Sequence, residues 1–313
     1  MLIFFNYVKE YNTYDSIPYE NIEFSFYQFE REMPDADHIS EVLQTVKQLK
    51  PLFVLSVSGS NVTADLLSNI VPVVTLSLSY DLPISKSTFS ILPKKLEESD
   101  LETLNVFDID KESIIESVFT YKYDPPRSKL ARSEFGFDNS NFIIAVVGNR
   151  LDLELTDEFL FELEELVKSK DHVRILFIGD YDNYNEHMDS YSSLKKRSIF
   201  IGFQPDLAAV FEVCDAYLNP FRAGGGTSAA IALKQGLPIF TYAYGDVAYT
   251  AGESFHITSF NDIKKFVDDW NDLVFRENAR ICALNRADEI FNSQKKLKDI
   301  MNKMSQSHYF FMR

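Results

Sequence analysis

Cysteine and histidine, the side chains that most often build cross-links and metal sites, are scarce in this sequence of 313 residues. Its two cysteines, Cys214 and Cys282, lie far apart and provide neither a disulfide framework nor a metal cluster. Its five histidines are scattered and form no HxxxH or HExxH spacing. We therefore expect no metal site, and we expect a reducing, cytoplasmic setting.

Basic residues are also in short supply, because 31 lysines and arginines face 47 acidic residues and leave a net charge of −16. This balance argues against nucleic acid or an anionic membrane surface as the main partner. A small anionic ligand in a local basic pocket remains compatible with it. Long apolar runs are missing too, since none approaches the roughly 20 residues that cross a bilayer.

Short apolar segments alternate with helical patterns over the first 85 residues, which predicts a parallel sheet with helices on its faces. Residues 80–140 are richer in charge and proline and predict a linker with one or two helices. We therefore expect a short N-terminal Rossmann-like domain with the linker at 1–135, and a C-terminal domain at 136–313. The predicted strands span residues 2–8, 22–29, 52–57 and 71–78, and the predicted helices span 39–49 and 62–70.

The C-terminal domain has the more regular pattern. Residues 142–147 form a fully apolar strand, and residues 157–168 have the spacing of an amphipathic helix. The alternation of strands and helices predicts a doubly wound α/β domain. The further predicted strands are 173–178, 199–203, 216–218 and 238–243, and the further helices are 207–213, 228–235, 260–272 and 277–304.

A glycine turn gives the clearest functional signal, within the segment NPFRAGGGTSAAIALKQGLP at residues 219–238. Glycine lets the backbone approach a ligand at positive φ, and a hydroxyl residue at the N-cap satisfies the first amides of a helix. The remaining amides and the helix dipole favour phosphate. A purely structural turn is the alternative, since the pattern is neither GxGxxG nor a P-loop. The turn comprises Gly224, Gly225, Gly226, Thr227 and Ser228.

Arg222 stands two residues before the glycine run. A guanidinium group at this point would bind phosphate oxygens in a bidentate manner. A surface salt bridge is the alternative role. The strand, the arginine, the turn and the helix together predict an anion site.

These residues, in this order, resemble the C-terminal, nucleotide-sugar-binding domain of the GT-B glycosyltransferases, over residues 141 to about 290. The pattern is most similar to that of the group 1, family 4-like enzymes. The resemblance implies an α/β, GT-B-like fold with two Rossmann-like doubly wound domains facing a cleft, the N-terminal one short. The residues that carry it are Pro220, the glycine run, Ser228, Ala232 and Gly236-Leu237-Pro238.

The resemblance also implies roles for individual residues. Gly148-Asn149-Arg150 occupies the place of a turn whose arginine reaches the diphosphate, and Gly202-Phe203-Gln204-Pro205 resembles the loop that holds the base. Arg222 and Arg150 are then the catalytic residues, which neutralise the leaving diphosphate without a metal. A core position is the alternative for Phe203. The implied donor-binding residues are Gly148, Asn149, Phe203, Gln204, Gly224, Gly225, Gly226, Thr227, Ser228 and Asp246.

The chain departs from this family at acidic positions. Two glutamates eight positions apart, the second of which binds the ribose hydroxyls, are replaced by Ala223 and Ile231. Glu154 stands near the place where a lysine usually follows the arginine of the first turn. Either Asp246 or Ser228 is then left to take over contacts with the ribose or the sugar.

Two functions follow from the resemblance. The first is a hexosyltransferase that moves a sugar from a nucleotide-diphosphate donor, expected to be a UDP-sugar, to a glycan, lipid-linked glycan or protein. It needs no cofactor besides the donor substrate. The second is a non-catalytic GT-B partner protein that stabilises or targets an active transferase, as the missing glutamates and short N-terminal domain suggest. Further expected partners are another protein chain or a second copy, and the inner membrane face through peripheral association.

Overall fold

The protein is described by a computed structural model that covers residues 2–5, 16–19, 21–28, 33–57, 59–78, 81–117 and 122–306. The chain divides into two compact units. The first lies within residues 1–91, 97–115 and 303–313, and the second comprises residues 92–96 and 116–302. The domain boundary predicted after residue 135 stays a prediction.

One sheet of the first unit has three strands, β1 (Leu2–Phe5), β2 (Ser16–Tyr19) and β3 (Ile22–Gln28), in the order β1-β3-β2. β1 runs parallel to β3, whereas β2 runs antiparallel to it. The antiparallel pair differs from the predicted all-parallel sheet. Its cause is the short connection at Asn21, whose φ of 67° allows a tight reversal that joins only antiparallel strands.

The second sheet of this unit has four strands, β4 (Val54–Val57), β5 (Val73–Leu76), β6 (Phe89–Leu92) and β7 (Ile114–Glu116), in that order. The pairs β4–β5 and β5–β6 are parallel, and the first of these was predicted. The stretch predicted as a linker supplies β6 and β7, and so carries more strand than we expected. The helices here are α1 (Ala36–Leu49), α2 (Val62–Leu67) and α3 (Glu98–Val106).

The second unit is built on a five-stranded parallel sheet in the order β10-β9-β8-β11-β12. The order reverses at β8, which lies in the middle, and this is the doubly wound arrangement that the sequence predicted. The strands are β8 (Phe142–Gly148), β9 (Val173–Gly179), β10 (Ser198–Phe200), β11 (Ala216–Leu218) and β12 (Ile239–Phe240).

Helices connect these strands and continue to the end of the described chain. The region predicted as one helix at 277–304 is divided in two at Phe291. The helices are α4 (Leu151–Glu154), α5 (Asp157–Ser169), α6 (Tyr184–Asp189), α7 (Ser192–Arg197), α8 (Leu207–Phe211), α9 (Gly226–Lys234), α10 (Gly245–Ala251), α11 (Phe260–Asp269), α12 (Leu273–Ile290) and α13 (Ser293–Gln306).

Both faces of the five-stranded sheet are covered by apolar side chains. Successive residues of β8 belong alternately to two core clusters, with Ile143 and Ala145 in one and Ile144 and Val146 in the other. This is why β8 is continuously apolar rather than alternating in polarity. The buried sheet provides a rigid base, and the loops at the carboxyl ends of its strands carry the residues described next.

Candidate functional site

Three loops at the carboxyl ends of β8, β9 and β10 are joined by backbone hydrogen bonds. The amide of Asp180 donates to Gly148 O at 2.9 Å, and the amide of Gly179 donates to Gly202 O at 2.9 Å. Gly179 has a φ of +117°, and a Cβ atom there would lie 1.9 Å from Gly148 O. Only glycine therefore fits at position 179, and its presence fixes the turn that carries Arg150.

The glycine turn forms the N-terminus of α9. Gly225 is the N-cap, with a φ of +109°, and the first amide to bond within the helix is that of Ala229, to Gly225 O at 3.2 Å. The predicted hydroxyl N-cap is therefore wrong: Ser228 lies in the first turn, and its Oγ donates to Gly225 O at 2.8 Å. Within the described residues, the amides of Gly226, Thr227 and Ser228 have no acceptor, which is the arrangement that binds anions.

Arg222 lies inside this site and is only 9% exposed. Its Nε donates to Asn219 Oδ1 at 2.9 Å, and its Nη2 donates to Val147 O at 2.6 Å and to the Tyr217 hydroxyl at 3.1 Å. Its Nη1 donates to the carboxylate of Glu154. Burial alone would lower the pKa of Arg222, but Tyr217 and Glu154 raise it, and the net shift is upward. Arg222 thus ties the ends of β8 and β11 together.

Two of the predicted donor-binding glycines make room for this guanidinium. A Cβ atom at Gly148 would lie 2.6 Å from Arg222 Nη1, and one at Gly225 would lie 2.7 Å from Arg222 Nη2. A Cβ atom at Gly224, in contrast, would meet nothing within 4 Å. Part of the glycine pattern is therefore structural, because it accommodates a buried arginine.

Arg150 differs from Arg222 in exposure, although both contact the same carboxylate. The side chain of Arg150 is 69% exposed, and its Nη2 lies 3.3 Å from Glu154 Oε1. The other oxygen of Glu154 is bonded to Arg222, and the Glu154 side chain is only 10% exposed. Asn149, beside Arg150, is exposed as well. The two arginines share this carboxylate, while Asp152 of the same short helix accepts hydrogen bonds from the amides of Asp182 and Asn183.

The loop predicted to hold a base follows β10, two strands away from β8. Phe203 is 69% exposed on this loop, so it does not occupy the alternative core position. Gln204 donates through Nε2 to Ile201 O at 2.7 Å, and Gly202 takes a φ of +68°. The structure therefore groups the arginines, the glycine turn and Asn149 at the centre of the sheet, and sets Phe203 and Gln204 to one side.

Asp246 lies near the glycine turn because two backbone segments meet there. Its amide donates to Ala223 O at 2.6 Å, and the neighbouring Gly245 has a φ of +79°. A Cβ atom at Gly245 would lie 2.4 Å from Arg222 O. The carboxylate is half-buried, and burial raises the pKa of Asp246. Among the described residues, no donor is bonded to it.

Three residues of this site were missed by the sequence analysis as partners of Arg222: Glu154, Tyr217 and Asn219. Glu154 had a signal that could have been used, because it follows Arg150 by four positions, the spacing of a helical ion pair. Tyr217 and Asn219 had no such signal, because a residue of β11 and the residue after that strand contact Arg222 only once the chain has folded.

The C-terminal part of the chain has a clear family match. Residues 141–274 match the family described as Glycosyl transferases group 1. This segment is therefore similar to the group 1 glycosyltransferase domain. It contains all twelve of the residues that we predicted for the site, and the resemblance found in the sequence is thereby confirmed as to family.

Solved structures of low sequence identity share their fold with most of the chain. Alr3699/HepE from Anabaena, in complex with UDP, is 14% identical with a TM-score of 0.68, covering 91% of this chain and 86% of that one. A glycosyltransferase from Rickettsia africae is 12% identical with a TM-score of 0.64, over 91% and 86%. WaaG, described as involved in lipopolysaccharide biosynthesis, is 13% identical with a TM-score of 0.60, over 88% and 86%. The GT-B fold predicted from the sequence is confirmed.

The remaining findings are negative. No curated protein matched the sequence of this chain. Over the part of the chain that the structure describes, no helix combines the length and the apolar character needed to cross a membrane. Over the same residues, no three side chains of the His, Cys, Asp or Glu type come together as a metal site requires.

Proposed function

We propose that this protein is a hexosyltransferase that moves a sugar from a nucleoside-diphosphate donor, a UDP-sugar, to a hydroxyl of a glycan, lipid-linked glycan or protein. One arrangement carries the proposal: the anion-binding N-terminus of α9 packs on Arg222, which shares Glu154 with the exposed Arg150. The family match supports it, and so do the structures of the similar HepE with UDP and with UDP-glucose.

The chemistry follows from where negative charge develops. When the bond between the anomeric carbon and the diphosphate oxygen breaks, the leaving diphosphate gains charge, and fixed donors aimed at it lower the barrier. The exposed Arg150, which bonds only Glu154 among the described residues, and the amides of Gly226, Thr227 and Ser228 are the donors for this purpose. Arg222 acts through its charge and by holding the turn in place. The positive groups of the chain thus supply what a metal supplies elsewhere, and the donor is the only small molecule required.

A carboxylate for the ribose or sugar hydroxyls is the remaining requirement. The hydroxyl of Ser228 already donates to Gly225 O and lies 3.1 Å from the Tyr217 hydroxyl, so most of its hydrogen-bonding capacity is used. Asp246 keeps its oxygens unbonded among the described residues. Asp246 is therefore the residue we assign to these hydroxyls.

A second candidate function is that of a non-catalytic GT-B partner protein. The observation in its favour is that Arg222 uses its donors on four groups of the protein itself. Glu154, moreover, places negative charge between the two arginines. This candidate predicts little or no donor hydrolysis and a stable complex with another chain.

We also propose a cytoplasmic location with peripheral association at the inner membrane face. The sequence supports the first part through its few cysteines. The peripheral membrane association follows from one of the proposed acceptors, because a lipid-linked glycan lies at a membrane surface. Fractionation of cells that express the protein, with and without a salt wash, tests both parts.

The first experiment is a thermal-shift panel with UDP, GDP, ADP and CMP, followed by UDP-sugars, without added metal. A ligand present at 100 times its Kd stabilises the folded state by about 2.7 kcal/mol. For a unit of this size the expected shift is roughly 5–10 °C. A selective shift with UDP supports the transferase. Absence of a shift with every nucleotide would contradict it and favour the partner protein.

Substitution of Arg150 tests the assigned chemistry. Arg150→Ala removes an exposed donor and should lower kcat by about 10²-fold, as the loss of one charge-stabilising donor does in other enzymes, with little change in Tm. Arg280→Ala, which removes an exposed arginine paired with Glu277 on α12, is the matched control. Turnover of a UDP-sugar is measured for both variants. Normal turnover in Arg150→Ala would contradict the role of Arg150.

A further inference from the structure

Two aromatic rings stack at the carboxyl end of the second unit's sheet. Phe221 follows β11, Tyr244 precedes α10, and their ring centroids lie 4.7 Å apart with planes inclined by only 13°. Despite this contact Phe221 remains 66% exposed. A single exposed apolar ring is common, but several aromatic rings packed side by side form a patch, and such patches often mark a ligand-binding surface.

The stack is held in place by the same contacts that build the glycine turn. The amide of Asp246 donates to Ala223 O at 2.6 Å, which fixes the chain beside Tyr244 against the chain beside Phe221. Tyr242 supports Phe221 from a second direction, with centroids 6.3 Å apart and planes inclined by 67°. The pair is therefore a pre-formed surface rather than two independent side chains, and little ordering entropy is lost when a ligand binds there.

The order of strands tells which part of a ligand would reach this surface. The loop of Phe203 follows β10 at one side of the sheet. The turn Gly148-Asn149-Arg150, here called the arginine turn, follows β8 in the middle, and the stacked rings follow β11 and β12 at the other side. Neighbouring strands lie about 4.8 Å apart, so the step from β10 to β8 spans roughly 10 Å, and the steps from β8 to β11 and to β12 span roughly 5 Å and 10 Å. With phosphates at α9 and a base near Phe203, the group next to the stack is a sugar.

We propose that Phe221, Tyr244 and Asp246 form a subsite for the pyranose ring of a carbohydrate, an inference that rests on the proposed function. A pyranose has an apolar face of C–H groups, which packs on an aromatic ring, and a rim of hydroxyls. Asp246 lies two residues after Tyr244, and its half-buried carboxylate accepts hydrogen bonds from such hydroxyls. Apolar rings with one well-placed polar group are the usual composition of a small-molecule site.

The pyranose has two sources, the donor and the acceptor, and binding measurements distinguish them. Isothermal titration calorimetry gives the Kd of UDP, UDP-glucose and UDP-N-acetylglucosamine for wild type and for Phe221→Ala. If the sugar belongs to the donor, the variant should bind the UDP-sugar about 10-fold more weakly and UDP equally well, a loss typical of one aromatic contact. If it belongs to the acceptor, donor binding is unchanged, and saturation-transfer NMR with methyl glucoside loses its signal in the variant.

Two further variants separate stacking from folding. Phe221→Tyr keeps the ring and should retain wild-type affinity. Phe161→Ala removes a Phe that is 54% exposed on α5, away from the site, and should have no effect on any ligand. Both are measured alongside Phe221→Ala, and thermal unfolding confirms that all three variants are folded.

The proposal is overturned if Phe221→Ala leaves both the UDP-sugar affinity and the saccharide signal unchanged, or if it weakens UDP as much as UDP-sugars. Failure of the proposed function has a different signature, because wild type then binds neither UDP nor a UDP-sugar. In that case the saccharide signal alone decides: its loss in Phe221→Ala supports the subsite, and its absence from wild type overturns it.

Discussion

Arg150 and Arg222 share one carboxylate but have opposite surroundings. Arg222 is buried with four protein acceptors, so removing it would leave Glu154 as a nearly buried charge with only the looser contact to Arg150. Loss of one partner of a buried pair typically costs about 3–5 kcal/mol. Arg150 is exposed, and an exposed ion pair contributes about 0–1 kcal/mol. Stability therefore depends on Arg222, and a ligand has access to Arg150.

Replacing Glu154 tests how this carboxylate affects an anionic ligand. Glu154→Gln keeps the shape and one acceptor oxygen but removes a negative charge next to the phosphate site. UDP should then bind about 10-fold more tightly, since unit charges near a protein surface interact by on the order of 1–4 kcal/mol. Calorimetric Kd values test this, with Glu165→Gln, an exposed partner of Lys168 on α5, as control. Weaker binding by a folded Glu154→Gln protein would show that Glu154 is needed to position Arg150.

Asp246 should make stability depend on pH. Burial raises its pKa above the ordinary value of 3.8, so the folded protein binds this proton more tightly than the unfolded chain does. The free energy of unfolding contributed by Asp246 therefore falls as the pH rises from 3.8 through the raised pKa. Asp246→Asn should be more stable than wild type at neutral pH, and this advantage should vanish in acid. Urea unfolding over a pH series measures the difference.

Asp262 is a control for that series, because its pKa is shifted in the opposite direction to that of Asp246. Hydrogen bonds from Thr258 and Ser259 lower its pKa, so its contribution is present at neutral pH and lost in acid. Asp262→Asn should therefore be less stable than wild type at neutral pH. A pH-independent difference for Asp246→Asn would show that its carboxylate is better solvated than the structure indicates.

At the scale of elements, the entry into α9 depends on Gly225 more than on Gly224. Gly225→Ala places a Cβ atom 2.7 Å from Arg222 Nη2 and forces a non-glycine residue to a φ of +109°. We expect a loss of about 2–4 kcal/mol and of UDP binding, since left-handed backbone strain alone costs about 1–3 kcal/mol. Gly224→Ala, with open space around its Cβ, is the matched control and should change Tm little. Equal stability of the two variants would contradict this account of the turn.

Elements with a strong local pattern were predictable from the sequence. β8 and α5 end within one residue of their predicted bounds, because a continuous apolar run and a clear amphipathic period each permit one structure. α9 begins two residues earlier than predicted, since Gly225 serves as N-cap where we expected a hydroxyl residue. The antiparallel β2 was missed, as its turn at Asn21 lacks the glycine that marks most hairpins.

The candidate site was predictable in its backbone but not in its side-chain contacts. Glycine patterns locate turns, and turns at strand ends locate the anion site, so the residues around Gly148 and Gly225 were found. The burial of Arg222 was not, because it depends on Glu154, which is 68 positions away in the chain. Contacts at such sequence separation leave no local pattern to detect.

At the scale of the whole molecule, the net charge of −16 contrasts with the positive charge at the arginines. An anionic donor is repelled by most of the surface and attracted at one place, and this favours a single location for it. Salt screens the surface repulsion over about 8–10 Å at physiological ionic strength. We therefore expect the donor to be bound within the second unit.

Hydrogen exchange with and without UDP tests that location. UDP should slow exchange in peptides that contain the arginine turn and the start of α9, since amides that bind phosphate are protected. Peptides from α1, in the first unit, serve as the internal reference and should be unchanged. Protection confined to α1 and its neighbours, with none at α9, would place the nucleotide in the first unit and contradict the expected location.

The packing of Gly148 and Gly225 around one guanidinium also has a consequence for protein engineering. A side chain at Gly148 or Gly225 would overlap the guanidinium of Arg222, so a substitution at one of these positions requires a change at another. Random mutagenesis of the three positions will therefore yield mostly misfolded variants. Phe203, Phe221 and Arg150 face solvent and carry no such constraint. A library aimed at a new sugar specificity should therefore vary Phe221 and its neighbours, keep Arg150 for its role at the diphosphate, and leave Gly148, Gly225 and Arg222 unchanged.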